Sequence, residues 1–207
     1  AYKNYTGGST GEPISFWQGE NYYNYASASV FISDEMAGWQ MQARTVKLWG
    51  APADIREITS ITGKIKLFLL NRKFFDTFNL SEDAMIRYHL EMSKFKPEVI
   101  VSYASSIYLL AEFLEKKNIQ PSYPLVSIIS AAEKLYPFMR EKIEKIFAVK
   151  VFNRYGTREL SAIATECEAH KGMHIHASDH IVEVLDQKTG RPLEESPGEL
   201  VITRLHN

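Results

Sequence analysis

Apolar positions in this chain alternate between short solid runs and stripes at helical spacing. The pattern is clearest in the middle. Pro97–Ser102 reads as an apolar strand, and Ile107, Leu110, Ala111 and Leu114 then recur three and four residues apart until Lys116, Lys117 and Asn118 close the stretch. Pro121 and Pro124 mark a loop, Leu125–Ser130 a second strand, Met139, Ile143 and Ile146 one face of a second helix, and Ala148–Phe152 a third strand. Strands and helices alternating at these lengths predict parallel strands joined by right-handed crossovers, hence an α/β fold with a mainly parallel sheet flanked by helices. Upstream, Val46–Trp49 and Lys66–Leu70 read as two more strands, with a helix over Pro52–Thr62 between them and an amphipathic helix over Ser81–Lys94 after them. Beyond Thr165 the pattern shifts to short strands and turns. His180–Leu185, the turn over Asp186–Pro192 with Lys188, Thr189 and Gly190 at its bend, and Gly198–Thr203 predict a C-terminal antiparallel β element. The expected organisation is therefore an α/β portion over residues 1–165 and a β-rich segment over 166–207.

Composition narrows the classes. A hydrophobic fraction of 45% with 24% charged residues is that of a folded globular chain. Lys and Arg number 24 against 25 Asp and Glu, so no net charge points to a polyanion, and nucleic acid is not an expected partner. No apolar run approaches the roughly 20 residues of a spanning helix, so no membrane is expected either. The single Cys167 forms no internal disulfide, which makes a reducing cytoplasm the expected compartment. The first residues lack both an initiator Met and a secretory pattern, and the last strand stops four residues short of the C-terminus; both ends read as cuts through a larger protein. Nothing in the sequence sets the oligomeric state.

In an open parallel sheet ligands bind beyond the carboxyl ends of the strands, so candidate chemistry belongs at the strand tips. These read Ser102-Tyr103-Ala104-Ser105-Ser106, then Ser130-Ala131-Ala132-Glu133-Lys134, then Asn153-Arg154-Tyr155-Gly156-Thr157-Arg158-Glu159. All are small, hydroxylated or charged. A helix-capping role for Ser102 or Ser105 and a helix-dipole role for Glu133 are the plainer alternatives. The strongest local signal is Thr6-Gly7-Gly8-Ser9-Thr10-Gly11-Glu12-Pro13, whose glycines let backbone amides approach an anion and whose hydroxyls add donors, as a triphosphate requires. It lacks the Gly-Lys-Ser/Thr of a Walker A loop, and a flexible linker is the alternative. Cys167, His170, His174 and His176 form a compact Cys/His set, with His174 and His176 expected on one face of a strand. The set is a candidate for Zn²⁺, with surface histidines as the alternative. No general-base partner is indicated for Cys167 as a nucleophile.

The run from Thr6 to Pro13 resembles the phosphate loop of the adenylate-forming superfamily, and Asn153–Glu159 resembles its Tyr-Gly-x-Thr-Glu motif. The stretch Thr165–Ile175 with Gly198–Thr203 is similar to the phenylacetate:CoA ligase and CapK branch. The resemblance implies a part of that superfamily's large N-terminal domain and the ligands ATP, Mg²⁺, coenzyme A and a small carboxylic acid. It implies that Ser9, Thr10 and Gly11, with the neighbouring Thr6, Gly7 and Gly8, hold the β- and γ-phosphates. Ala131, Ala132 and Glu133 would lie along the adenine, Tyr155 would stack on it within the motif of Asn153, Gly156 and Thr157, and Glu159 would help hold Mg²⁺. Tyr103, Ala104, Ser105 and Ser130 would wall the acid pocket.

Three positions depart from the superfamily pattern: Gly7 and Ile14 in the phosphate loop, and Arg158 where a hydroxyl residue precedes the motif Glu. Arg158 is then a candidate charged donor to phosphate, with a surface residue as the alternative. The ribose-binding Asp, the hinge and the C-terminal domain with its catalytic Lys are expected past Asn207. The expected activity is carboxylate activation as an acyl-adenylate and then a CoA thioester. A noncatalytic nucleotide-binding relative and a capsule- or glycan-pathway enzyme with another acceptor are the alternatives.

Overall fold

The computed structural model describes residues 1–5, 14–50 and 60–206. A hairpin of β1 (Tyr2–Tyr5) and β2 (Ser15–Gln18) leads into α1 (Glu20–Met36). There follow β3 (Thr45–Trp49), α2 (Ile61–Leu69), β4 (Arg72–Asp76), α3 (Glu82–Phe95), β5 (Val99–Ser102), α4 (Ala104–Lys116), β6 (Ser127–Ala131), α5 (Pro137–Phe147) and β7 (Lys150–Thr157). The chain continues through β8 (Ser161–Glu166), β9 (Met173–Ile175), β10 (His180–Leu185) and β11 (Glu199–Arg204). The central sheet has seven strands in the order β4-β3-β5-β6-β7-β8-β9, parallel from β4 to β7 and antiparallel across β8 and β9. A separate antiparallel pair joins β10 to β11 with His180 opposite Arg204 and Leu185 opposite Glu199. The expected fold class and C-terminal β element are what the chain adopts.

Alternation along the strands divides the core. Val46, Leu48, Ile100, Ile128 and Val151 face a cluster supplied by α3, α4 and α5, including Met92, Ile107, Leu110, Leu114 and Ile143. Val99, Val101, Ile129 and Phe152 point the other way, onto Ala37 and Trp39 just past α1. Helix limits follow ordinary capping chemistry. Ser81 Oγ accepts from the Ala84 amide at the start of α3, Pro137 opens α5, and α3 and α5 end at Lys96 and Ala148 in left-handed conformation.

Two expectations need correction. Lys66–Leu70 is not a strand but the end of α2: Ser60 Oγ accepts from the Gly63 amide at 3.0 Å, and Ile61, Ile65 and Phe68–Leu69 recur at helical spacing. The strand comes just after it, at β4, where Arg72, Lys73 and Asp76 interrupt the apolar signal, as suits a sheet edge. The expected helix at 52–62 falls largely on residues 51–59, outside the described ones. The helix α1 is not among the expected elements, because its buried face is Tyr22, Ala26, Ser29, Ser33 and Asp34, which makes no apolar stripe.

Candidate functional site

The chain leaves β3 toward β4 on one side, then returns to β5 on the other side of β3 and proceeds outward through β6 and β7. Strand order therefore reverses between β3 and β5, the place where an open α/β sheet forms a crevice at its carboxyl edge. Trp49 ends β3 and Tyr103 follows β5, and their rings stack there with centroids 4.2 Å apart. From this pair a cleft of about 580 Å³ runs across the tips of β6 and β7. Its far wall is Ala131, Ala132 and Glu133 on one side and Gly156, Thr157 and Arg158 on the other, with Arg154 between. A smaller adjoining hollow of about 350 Å³ takes in Lys134, Asn153, Tyr155 and Met173.

Backbone geometry at this edge is unusual for the residues present. Ala132 and Ser161 both line the cleft, and both hold left-handed backbone, at φ 66° and 64°. Such conformations in non-glycine residues carry a cost that the surrounding structure must offset, and they gather at functional sites. Gly156 sits at a β-bulge where β7 and β8 lose register, and a Cβ there would lie 2.2 Å from the Ser161 carbonyl oxygen. Only glycine fits.

The polar groups are fixed by partners. Glu133 Oε2 accepts from the Ser105 amide at 2.8 Å, so its carboxylate caps α4, the helix after β5, and not the helix that follows its own strand. Arg154 Nη1 pairs with Asp34 of α1 at 2.8 Å, with side chains 10% and 8% exposed. Thr157 Oγ1 accepts from the Leu160 amide at 3.1 Å, closing the turn that carries Arg158 and Glu159. Glu159 is half-buried and makes no hydrogen bond or ion pair among the described residues. The plainer expectation for Glu159, a surface ion pair with Arg154 or Arg158, finds no such pair among the described residues.

The structure brings Tyr103, Ala131, Ala132, Glu133, Gly156, Thr157 and Arg158 together on one cleft. Asn153 and Tyr155 are in the adjoining hollow. Ala104 and Ser130 are fully buried below the edge, Ser130 Oγ without a hydrogen-bond partner among the described residues, and the Ser105 amide donates a hydrogen bond to Glu133 of the cleft wall. Thr6, Gly7, Gly8, Ser9, Thr10 and Gly11 lie outside the described residues. Their flanks do not: Tyr5 pairs with Ser15, and Gln18 at the end of β2 donates to the Arg158 carbonyl at 3.4 Å. The strands flanking the glycine-rich run are thus tied to the motif turn.

The zinc expectation is corrected. Among the described residues no three His, Cys, Asp or Glu side chains gather as metal ligands. His176 is buried with Nε2 3.0 Å from Ser33 Oγ and 3.3 Å from Thr165 Oγ1, and His170 Nδ1 lies 3.3 Å from Glu166, whose carboxylate takes both Nη2 contacts of Arg140 at 2.8 Å. His174 is exposed and Cys167 half-buried. Burial pushes the His176 imidazole below its ordinary value of 6.5, and His180 and Arg154 push it the same way. Sequence reading missed Trp49, Val30, Asp34 and Ser161 as cleft residues or their partners. Trp49 was findable as the last residue of an expected strand; Asp34 had no signal, because the helix that carries it had none.

No protein-family model matches the chain. Among curated proteins it is 29% identical over 168 residues to Protein CapK of Staphylococcus aureus, covering 78% of this chain and 36% of that protein. It is 34% identical over 116 residues to the phenylacetate-coenzyme A ligase of Thermus thermophilus, covering 54% of this chain and 26% of that one. The chain thus spans about a third or less of the length of these relatives. Among solved structures it superposes on a 2-hydroxyisobutyryl-CoA ligase, in complex with 2-HIB-AMP and CoA, with a TM-score of 0.74 at 19% identity, over 99% of this chain and 44% of the other. A long-chain-fatty-acid-CoA ligase of Archaeoglobus fulgidus gives 0.70 at 17% identity over 97% and 41%, and ATP-bound MatB of Rhodopseudomonas palustris gives 0.68 at 14% over 98% and 39%. The solved structures show the fold, and the two sequence relatives make the chain similar to the adenylate-forming superfamily, in particular to its CapK and phenylacetate:CoA ligase-like branch.

Proposed function

We propose that this chain is the ATP- and acid-binding portion of an enzyme that activates a small carboxylic acid. The carboxylate attacks the α-phosphate of ATP, giving an acyl-adenylate and pyrophosphate, and the acyl group then passes to a thiol, which we take to be coenzyme A. The observation that carries this reading is the cleft at the strand-order reversal, whose walls are the Ala131–Glu133 tip, the Gly156–Arg158 turn and the Trp49–Tyr103 stack. Every residue lining the larger cleft precedes 166, which supports residues 1–165 as the ligand-holding part and 166–207 as the part that braces it.

The cleft offers an apolar and aromatic end for the acid's body, and cationic side chains toward the phosphates. Arg154, paired with Asp34, and Arg158 just past the end of β7 bring guanidinium donors to the region where the α-phosphate gains negative charge as the carboxylate adds. The shorter walls of Ala131, Ala132 and Gly156 let a flat ring lie close to backbone. Glu159 lines neither the cleft nor the adjoining hollow but follows Arg158 of the cleft wall, and as a half-buried carboxylate with no protein partner among the described residues it would be the Mg²⁺ ligand of this proposal. Mg²⁺ bound there would neutralise phosphate charge. Thr10 and its neighbours supply the phosphate grip in this proposal. Among the described residues no helix is long and apolar enough to cross a membrane.

Acid-dependent exchange of pyrophosphate into ATP by the full-length protein, across a panel of aryl and short acyl acids, tests the reading. Exchange with at least one acid is expected; no exchange with any acid while ATP still binds would favour a noncatalytic nucleotide-binding relative.

A further inference from the structure

The turn that carries Arg158 and Glu159 is gripped from behind, by its backbone. The Arg158 carbonyl accepts from the Tyr22 hydroxyl at 3.1 Å and from Gln18 Nε2 at 3.4 Å. Two residues on, the Leu160 carbonyl accepts from His180 Nε2 and from Arg204 Nη1, each at 3.0 Å. Arg204 links these groups. Its Nε donates to the His206 carbonyl at 2.9 Å, its Nη2 donates to the Tyr22 carbonyl at 3.3 Å, and its guanidinium lies 3.9 Å from the centre of the Tyr22 ring. The same Nη2 is 2.8 Å from the Asp179 carboxylate, with side chains 5% and 0% exposed. Among the described residues no donor reaches that carboxylate in hydrogen-bonding geometry; Arg204 Nη2 is the nearest group to it, with His180 Nε2 farther off at 3.8 Å.

None of Gln18, Tyr22, Asp179, His180 and Arg204 lines the cleft or its adjoining hollow. They act on it only through the turn. A buried Arg–Asp pair is an expensive way to attach a hairpin, because desolvation offsets most of the attraction and apolar side chains would hold as well. What an arginine adds is direction: a planar fork whose donors are fixed relative to one another. Here the fork aims at three backbone carbonyls from three segments, Tyr22 on α1, Leu160 after the turn, and His206 past β11.

We propose that Arg204, set by Asp179 and assisted by His180 and Tyr22, is a positioning residue that fixes the Thr157–Leu160 turn and so keeps Arg158 on the cleft wall. The functional half of this proposal rests on the carboxylate-activation reading; the structural half does not.

Two conservative variants separate position from fold. Arg204→Lys keeps the charge and loses the fork, and Tyr22→Phe keeps the ring beneath Arg204 and loses the hydroxyl that holds the Arg158 carbonyl. Hydrogen–deuterium exchange should show amides 157–161 exchanging about tenfold faster in Arg204→Lys and about threefold faster in Tyr22→Phe, with the amides of β5 and β6 unchanged. Unchanged turn amides in both variants, or an acceleration shared equally by β5 and β6, would overturn the proposal. If Arg204→Lys fails to fold, Tyr22→Phe decides alone. In full-length protein, Tyr22→Phe should lower kcat for pyrophosphate exchange several-fold and leave the acid KM within about twofold; a loosened turn with normal kcat would remove the functional half. A wild type that shows no exchange with any acid overturns the carboxylate-activation reading, while the amide rates still decide whether the turn is positioned.

Discussion

The two walls of the cleft are held by different physics. Behind the Ala131–Glu133 tip, β5 and β6 are fixed by burial: Val99, Ile100, Ile128 and Ile129 are all 0% exposed, sandwiched between the α3–α5 layer and Trp39. Behind the Thr157–Leu160 turn stand hydrogen bonds and one ion pair, from residues as far along the chain as Gln18, 140 positions from Arg158. Burial is tolerant of direction. Hydrogen bonding is directional, and its donors come from anywhere. The first wall should therefore yield in stability before it yields in function, and the second the other way round.

The largest stability effect is expected on the first wall. Ile128→Ala empties a fully buried site in the main core and should lower unfolding free energy by about 2–5 kcal/mol in a urea titration. Affinity for ATP in the protein that remains folded should be unchanged. On the second wall, Gly156→Ala drives a Cβ against the Ser161 carbonyl at 2.2 Å, which forces the bulge to shift at a cost on the order of 1–3 kcal/mol. Because the displaced backbone is the cleft wall itself, ATP binding measured by calorimetry should weaken more than stability does. Equal losses in both would erase the distinction between the walls.

The smallest effect is a pH dependence next to the second wall. His176 is buried against Ser33 and Thr165, and its pKa in the folded chain is held below 6.5 by desolvation. The unfolded chain then binds this proton more readily, so the stabilisation is complete above pH 6.5 and is lost as pH falls toward the folded-state value. Urea midpoints measured at several pH values should drop over that window, and His176→Gln should flatten the drop. His89, also pushed down by burial, contributes in the same direction.

What was legible follows the same division. The β5–β7 strands and the α4 and α5 helices were readable because hydrophobic period is a short-range property, and the strand tips followed from the sheet type. The motif turn was readable only as a motif. Its supports were not, because Gln18, Tyr22 and Asp34 sit on elements whose buried faces are polar or small, and nothing local marks Arg204 as facing inward. Lys66–Leu70 misled for a related reason: a short apolar run with lysines fits a strand and a helix equally, and the Ser60 cap decides it. The Cys/His set misled because proximity in sequence is not convergence in space; His176 turns into the core while His174 stays at the surface.

The central claim is that this cleft activates a carboxylate with ATP, and Glu159 is its most exposed point. We expect Glu159→Gln in the full-length protein to keep its fold and to reduce acid-dependent pyrophosphate exchange about a hundredfold or more across a Mg²⁺ titration, as loss of one charged stabiliser of the transition state usually does. Wild-type exchange with an unchanged Mg²⁺ dependence in that variant would contradict the account.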